Sequence, residues 1–103
     1  MSHIHGIQHI GVAVSDMERT LPLYRQWFGM NIPFFDSIQA APLMTVFTRK
    51  EVITKRASMV MNLRGGSAME VIEPTSFEPA PLPTDFILGD IGIFAVHMRM
   101  SEP

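Results

Sequence analysis

The chain has 103 residues, 47% of them hydrophobic and 17% charged, with no Cys, nine Met, eight Pro and a formal net charge of −2. That length holds one domain at most, around a modest core, and a charged fraction below the ~25% of an average globular chain argues against disorder. The lack of Cys excludes disulfides, thiolate metal sites and Cys nucleophiles; the near-balanced charge gives no global field for nucleic acid; no apolar run approaches the ~20 residues of a membrane span. With no cationic, apolar leader in Met1 to Gly6, a soluble cytoplasmic protein is expected. The apolar composition exceeds what a small monomer needs, which points to a partner surface.

Gly6 to Val14 (GIQHIGVAV) reads as a strand. Ile10, Val12 and Val14 form a greasy face for a helix, while His9, Gly11 and Ala13 make a small, partly polar face that leaves room for something. Ser15-Asp16-Met17-Glu18 has the hydroxyl-to-carboxylate spacing of a capping box. Met17, Leu21, Tyr24 and Phe28 then fall on one helical stripe that ends at Gly29. Pro22 removes a backbone hydrogen bond near the start of that helix, and Arg19, Arg25 and Gln26 lie off the stripe, in water.

Asn31 to Pro42 reads as an irregular lead-in. Three strands are expected after it: Leu43 to Thr48, Ala57 to Leu63 and Ser67 to Glu73. Arg49 to Arg56 (RKEVITKR) is the loop between the first two, and Arg64-Gly65-Gly66-Ser67 is a tight turn pairing the last two antiparallel. Pro74 to Gly89, with four prolines, reads as an extended linker. Ile91 to Met100 reads as one more strand, and Ser101-Glu102-Pro103 repeats the earlier helix start, as if a second module began there.

His9-Ile10-Gly11-Val12-Ala13-Val14-Ser15-Asp16-Met17 leading into Leu21-Pro22-Leu23-Tyr24 and Phe28-Gly29-Met30, together with Met69-Glu70-Val71-Ile72-Glu73-Pro74, resembles the vicinal oxygen chelate superfamily of glyoxalases, bleomycin-resistance proteins and extradiol dioxygenases. The resemblance implies an α+β fold: a glyoxalase-like βαβββ module with a curled mixed sheet over residues 1–74, a Pro-rich linker over 75–89, and the first strand of an incomplete second module over 90–103. In that family two modules form a cup around a divalent metal, with ligands from the first and fourth strand of each. Carried over, the ligand positions are His9 and Glu70, with Glu70 also the candidate catalytic carboxylate. A divalent ion such as Zn, Mn, Fe, Ni or Co would be the cofactor. Matching Met100-Ser101-Glu102 to Val14-Ser15-Asp16 sets Ala95 at the His9 position and His97 at the Gly11 position, so His97 is either a displaced ligand or a pocket residue.

Each of these residues also has a plainer reading. A lone strand His is usually structural. A mid-strand carboxylate such as Glu70 is costly to bury unless paired or metal-bound, and the alternative is a wet face. Glu73 reads as solvated; Met44, Met59, Met61 and Met69 as core filler; Tyr24 and Trp27 as helix packing and rim. Arg49, Lys50, Lys55 and Arg56 read as a solvated loop, with an anion-binding lid the less favoured option.

Three functions follow. The first is metal-dependent lyase or isomerase chemistry of the lactoylglutathione lyase type, or dioxygenase chemistry. In it the metal chelates vicinal oxygens of a small-molecule substrate and stabilises an enediolate while a carboxylate moves the proton. The cup would then be shared by a homodimer, with two His and two Glu around one metal. The second is metal-free sequestration of a flat ligand, with Phe47, Phe94, Met59 and Met61 in the lining. The third is an inactive truncated fragment. Neither nucleic acid nor membrane is an expected partner.

Overall fold

Alternating small and β-branched residues at the start of the chain build a short strand, β1 (His9–Ala13). A computed structural model of the chain describes residues 3–4, 6–64, 68–81, 83–85, 87, 93 and 95–97. Helix α1 (Met17–Phe28) follows β1, capped by Asp16, whose carboxylate accepts the Arg19 N–H at 3.1 Å. The cap is therefore Asp16, one residue later than the expected Ser15. Glu73, expected to be solvated, is half-buried; its Oε2 accepts the Met17 N–H at 3.3 Å. Two carboxylates thus meet the helix N-terminus, where unpaired N–H groups and the dipole favour negative charge. At the other end Gly29 takes the left-handed conformation (φ 62°), and its N–H closes the helix on the Arg25 carbonyl at 3.1 Å.

Three further strands complete one sheet: β2 (Ile32–Ala41), β3 (Ile53–Met61) and β4 (Ala68–Pro74). Their order across the sheet is β1-β4-β3-β2; β1 runs parallel to β4, and β3 runs antiparallel to both of its neighbours. The chain is accordingly α+β, with a mixed four-stranded sheet and one helix among the described residues.

Two expectations are corrected here. The second strand is Ile32–Ala41, not Leu43 to Thr48; the latter segment begins as a short 3₁₀ helix, Pro42–Val46. Pro42 stands at the first position of that helix, where a missing N–H costs nothing. Residues 53–56, expected in a loop, begin β3, and Lys55 and Arg56 are half-buried there.

The antiparallel pairing of β3 with β4 is as expected; Gly65, Gly66 and Ser67 of the expected turn lie outside the described residues. Of the expected strand Ile91 to Met100, only Ile93, Ala95, Val96 and His97 are described, all exposed and in neither helix nor strand.

One face of the sheet carries the helix. Met17, Leu21, Met30, Val60, Met69 and Val71 form the buried cluster, and Ile10, Val12, Val14, Tyr24 and Phe28 pack against it. The greasy face expected of the first strand, Ile10, Val12 and Val14, is the one that meets α1, and Met69 and Val71 of β4 lie in the same core. Beside this core Arg56 extends from β3 to Asp36 on β2, through Nε–Oδ1 at 2.9 Å and Nη2–Oδ2 at 2.8 Å, and to Glu18 on α1. The guanidinium holds the Asp36 carboxyl below its ordinary value of 3.8, and the two carboxylates raise the Arg56 pKa. Asn62 ties the helix end to the sheet by donating from Nδ2 to the Phe28 carbonyl at 2.9 Å.

Among the described residues no helix is long and apolar enough to cross a membrane.

Candidate functional site

Strand alternation sends the residues between the core positions to the opposite face. The register aligns His9 with Ala68, Gly11 with Glu70, and Glu70 in turn with Met59. His9 and Glu70 therefore stand diagonally across β1 and β4, within reach of each other. His9 Nε2 lies 3.5 Å from Glu70 Oε2, with the side chains 34% and 20% exposed. Gly11, the residue directly beside Glu70, adds no bulk; a Cβ there would meet only Ile72 Cδ1, at 3.8 Å.

The other imidazole nitrogen is already engaged, since His9 Nδ1 is 2.9 Å from Gln8 Oε1. With the amide oxygen accepting the Nδ1 proton, the Nε2 lone pair faces the Glu70 carboxylate. An Nε2 lone pair and a carboxylate oxygen at that separation are two donors that one cation could share. An orienting hydrogen bond at the distal nitrogen is also how metal-binding imidazoles are held.

Glu70 has a second neighbour that the local sequence pattern conceals. Lys55 Nζ stands 3.8 Å from Glu70 Oε1, with the lysine side chain 15% exposed. The two carboxylate oxygens thus face different partners, the His9 imidazole on one side and the Lys55 ammonium on the other. Glu70 itself is half-buried and paired, while Gly11 and Ala13 on the same face are exposed. The signal for Lys55 lies in Ile53-Thr54, two β-branched residues that extend the strand backwards and give Lys55 the parity of Ala57 and Met59.

Beside this group lies a small hollow of about 140 Å³, lined by Gln8, Phe34, Met59, Met61 and Ala68. Met59 and Met61 therefore come together on the face of Glu70. Phe34 joins them because the register shifts between Pro33 and Phe35, a bulge that the sequence does not reveal. Phe47 lies elsewhere, in a larger hollow of about 650 Å³ with Arg49, Val52, Ile53 and Phe77. Phe94 lies outside the described residues.

His9, Glu70 and His97 do not all converge. His97 is exposed, and among the described residues no three His, Cys, Asp or Glu side chains gather in a group that could hold a metal ion. The donor pair present does suit a cation. An imidazole nitrogen and a carboxylate oxygen bound to one tetrahedral zinc, each at about 2.0–2.2 Å, stand roughly 3.4 Å apart, close to the 3.5 Å found here. Comparison with protein-family models, curated proteins and solved structures gives no match for this chain.

Proposed function

We propose that the chain is a glyoxalase-like βαβββ half-cup of the vicinal oxygen chelate type, which binds a divalent metal through His9 and Glu70 and acts on a small oxygen-chelating substrate. The observation that carries this reading is the His9–Glu70 pair: an imidazole nitrogen and a carboxylate oxygen 3.5 Å apart, on the sheet face away from the helix. Among the described residues one chain offers two ligands here, fewer than the three or four of protein zinc sites. A second copy related by twofold symmetry would supply the same two again, giving two His and two Glu. Strand β1, which pairs with β4 on one side, lies at the sheet edge where such a copy would approach.

When bound, the ion would polarise substrate oxygens as a Lewis acid, which is the chemistry that lyase, isomerase or dioxygenase turnover needs. Glu70 then has a second task available, holding or moving a proton at its Oε atoms beside the substrate. Gln8 fixes the His9 ring through Nδ1, so that Nε2 stays aimed at the site. Imidazole plus carboxylate accepts Zn, Mn, Fe, Ni or Co alike.

A second reading is favoured by the apolar hollow around Phe34, Met59 and Met61: sequestration of a flat ligand without metal. Calorimetric titration with Zn²⁺ or Ni²⁺ separates the two. The metal reading expects binding to the wild type and at least a tenfold loss in both His9→Ala and Glu70→Gln, in line with the removal of a ligand or its orienting partner. Absence of metal binding to the wild type, or equal binding by His9→Ala, overturns it in favour of sequestration.

A further inference from the structure

Lys55 is an unusual neighbour for a metal-binding carboxylate. Lysine at the surface of a sheet ordinarily buries its stem and carries its charge out to water. Here the side chain is 15% exposed and its Nζ turns back to 3.8 Å from Glu70 Oε1. That separation brings the charges together without a hydrogen bond, since direct N–H···O bonds span about 2.7–3.2 Å. Ala57 stands between Lys55 and Met59 on this face of β3 and is the smallest side chain along that stretch. The ammonium is therefore close to Glu70 without being hydrogen-bonded to it.

A divalent ion bound by Glu70 would change the balance of charge around Lys55. Coordination at about 2.0–2.2 Å from the carboxylate takes up the negative charge that Lys55 faces. It also places two positive charges on the same carboxylate that Lys55 faces, the ion on Oε2 beside His9 and Nζ on the Oε1 side. In a half-buried site that repulsion is poorly screened. The arrangement becomes balanced when the bound molecule itself carries an anion that can touch both the ion and Lys55.

We propose that Lys55 sets the substrate class of this site, receiving the carboxylate of a small acid that carries an oxygen next to that carboxylate, as 2-hydroxy and 2-oxo acids do. This rests on the reading of His9 and Glu70 as metal ligands. One carboxylate oxygen and the neighbouring oxygen fill the two positions that four protein donors, two from each copy, leave open on a six-coordinate ion. The remaining carboxylate oxygen is the acceptor for Nζ. A neutral molecule of the same shape leaves Lys55 facing the cation with no anion between them.

Glycolate and glycolamide make the test, because they differ only in replacing a charged oxygen by a neutral amide. Each is titrated calorimetrically into the full-length protein loaded with Ni²⁺, for the wild type, Lys55→Met and Lys55→Arg. The expected result is that all three proteins take up Ni²⁺, and that glycolate binding weakens about ten- to hundredfold in Lys55→Met. Lys55→Arg, which keeps the charge, retains most of the glycolate binding, and the weak binding of glycolamide is the same in all three. Nickel uptake with glycolate binding indifferent to Lys55 overturns this inference alone. Equal losses for glycolate and glycolamide in Lys55→Met do the same. Failure of the wild type to take up nickel overturns the metal reading with it. Circular dichroism of each variant confirms that the fold is kept.

Discussion

Lys55 and Arg56 are consecutive residues of β3, and strand alternation sends them to opposite faces of the sheet. Each meets carboxylates, yet the two pairings differ in kind. Arg56 grips Asp36 with two hydrogen bonds of 2.8 and 2.9 Å and also reaches Glu18 on the helix. It joins three elements in a fixed fork geometry that only a guanidinium offers. Lys55 stands 3.8 Å from Glu70, within Coulombic reach but without a hydrogen bond. One cation is a structural clamp beside the core; the other is a loosely held charge beside a candidate metal pair. Distance and donor count, rather than residue charge, distinguish the two roles.

The helix-bearing face should give the largest effects on stability. Met17 is fully buried at the centre of the core cluster, and Met17→Ala is expected to cost about 2–5 kcal/mol in urea unfolding. A domain of this size has total stability on the order of 5–10 kcal/mol, so that loss would be a large share of it. Arg56→Met should cost about 1–2 kcal/mol, a value discounted because the pairs are partly exposed. Lys55→Met should change stability by less than about 0.5 kcal/mol while altering anion binding. Equal stability losses at positions 55 and 56 would erase the distinction between clamp and loose charge.

Gly29→Ala sharpens the same face from its edge. Forcing a Cβ into the left-handed conformation at φ 62° is expected to cost about 1 kcal/mol by urea unfolding, with metal binding unchanged.

The pH dependence should also belong to the clamp. Hydrogen bonding to Arg56 lowers the Asp36 pKa from 3.8, so the folded state favours the ionised carboxylate. That contribution is present above pH 3.8 and is lost as the pH falls through the lower folded-state value. Acid unfolding followed by circular dichroism should therefore show a smaller stability decline below pH 4 in Arg56→Met than in the wild type. An identical decline in both proteins would remove Asp36 as a source of it.

The fold is legible in the sequence where hydrophobic period and capping agree. The stripe Met17, Leu21, Tyr24 and Phe28 is the packed face of α1, and alternation in the first strand alone separates His9 from the greasy face of Ile10, Val12 and Val14. Legibility fails where polar residues sit in strands. Ile32–Ala41 contains Pro33, Asp36, Ser37 and Gln39, a pattern that reads as irregular. As an edge strand it tolerates the proline, and Asp36 is held by Arg56. Conversely, Leu43 to Thr48 is rich in residues that favour strands, yet Leu43, Val46 and Phe47 are exposed and the segment turns after Pro42. Lys55 and Arg56 are hidden for a related reason. Charged residues on both sides of Val52-Ile53-Thr54 mask a strand start, and the partners that justify each charge come from elsewhere in the chain. Such cross-strand and strand–helix pairings depend on register, which local pattern does not encode.

Native mass spectrometry of the metal-loaded wild type alongside His9→Ala tests the central claim most directly. The account predicts a dimer carrying one divalent ion per two chains, with the ion lost in His9→Ala. A metal-free monomer, or undiminished metal in His9→Ala, would contradict it.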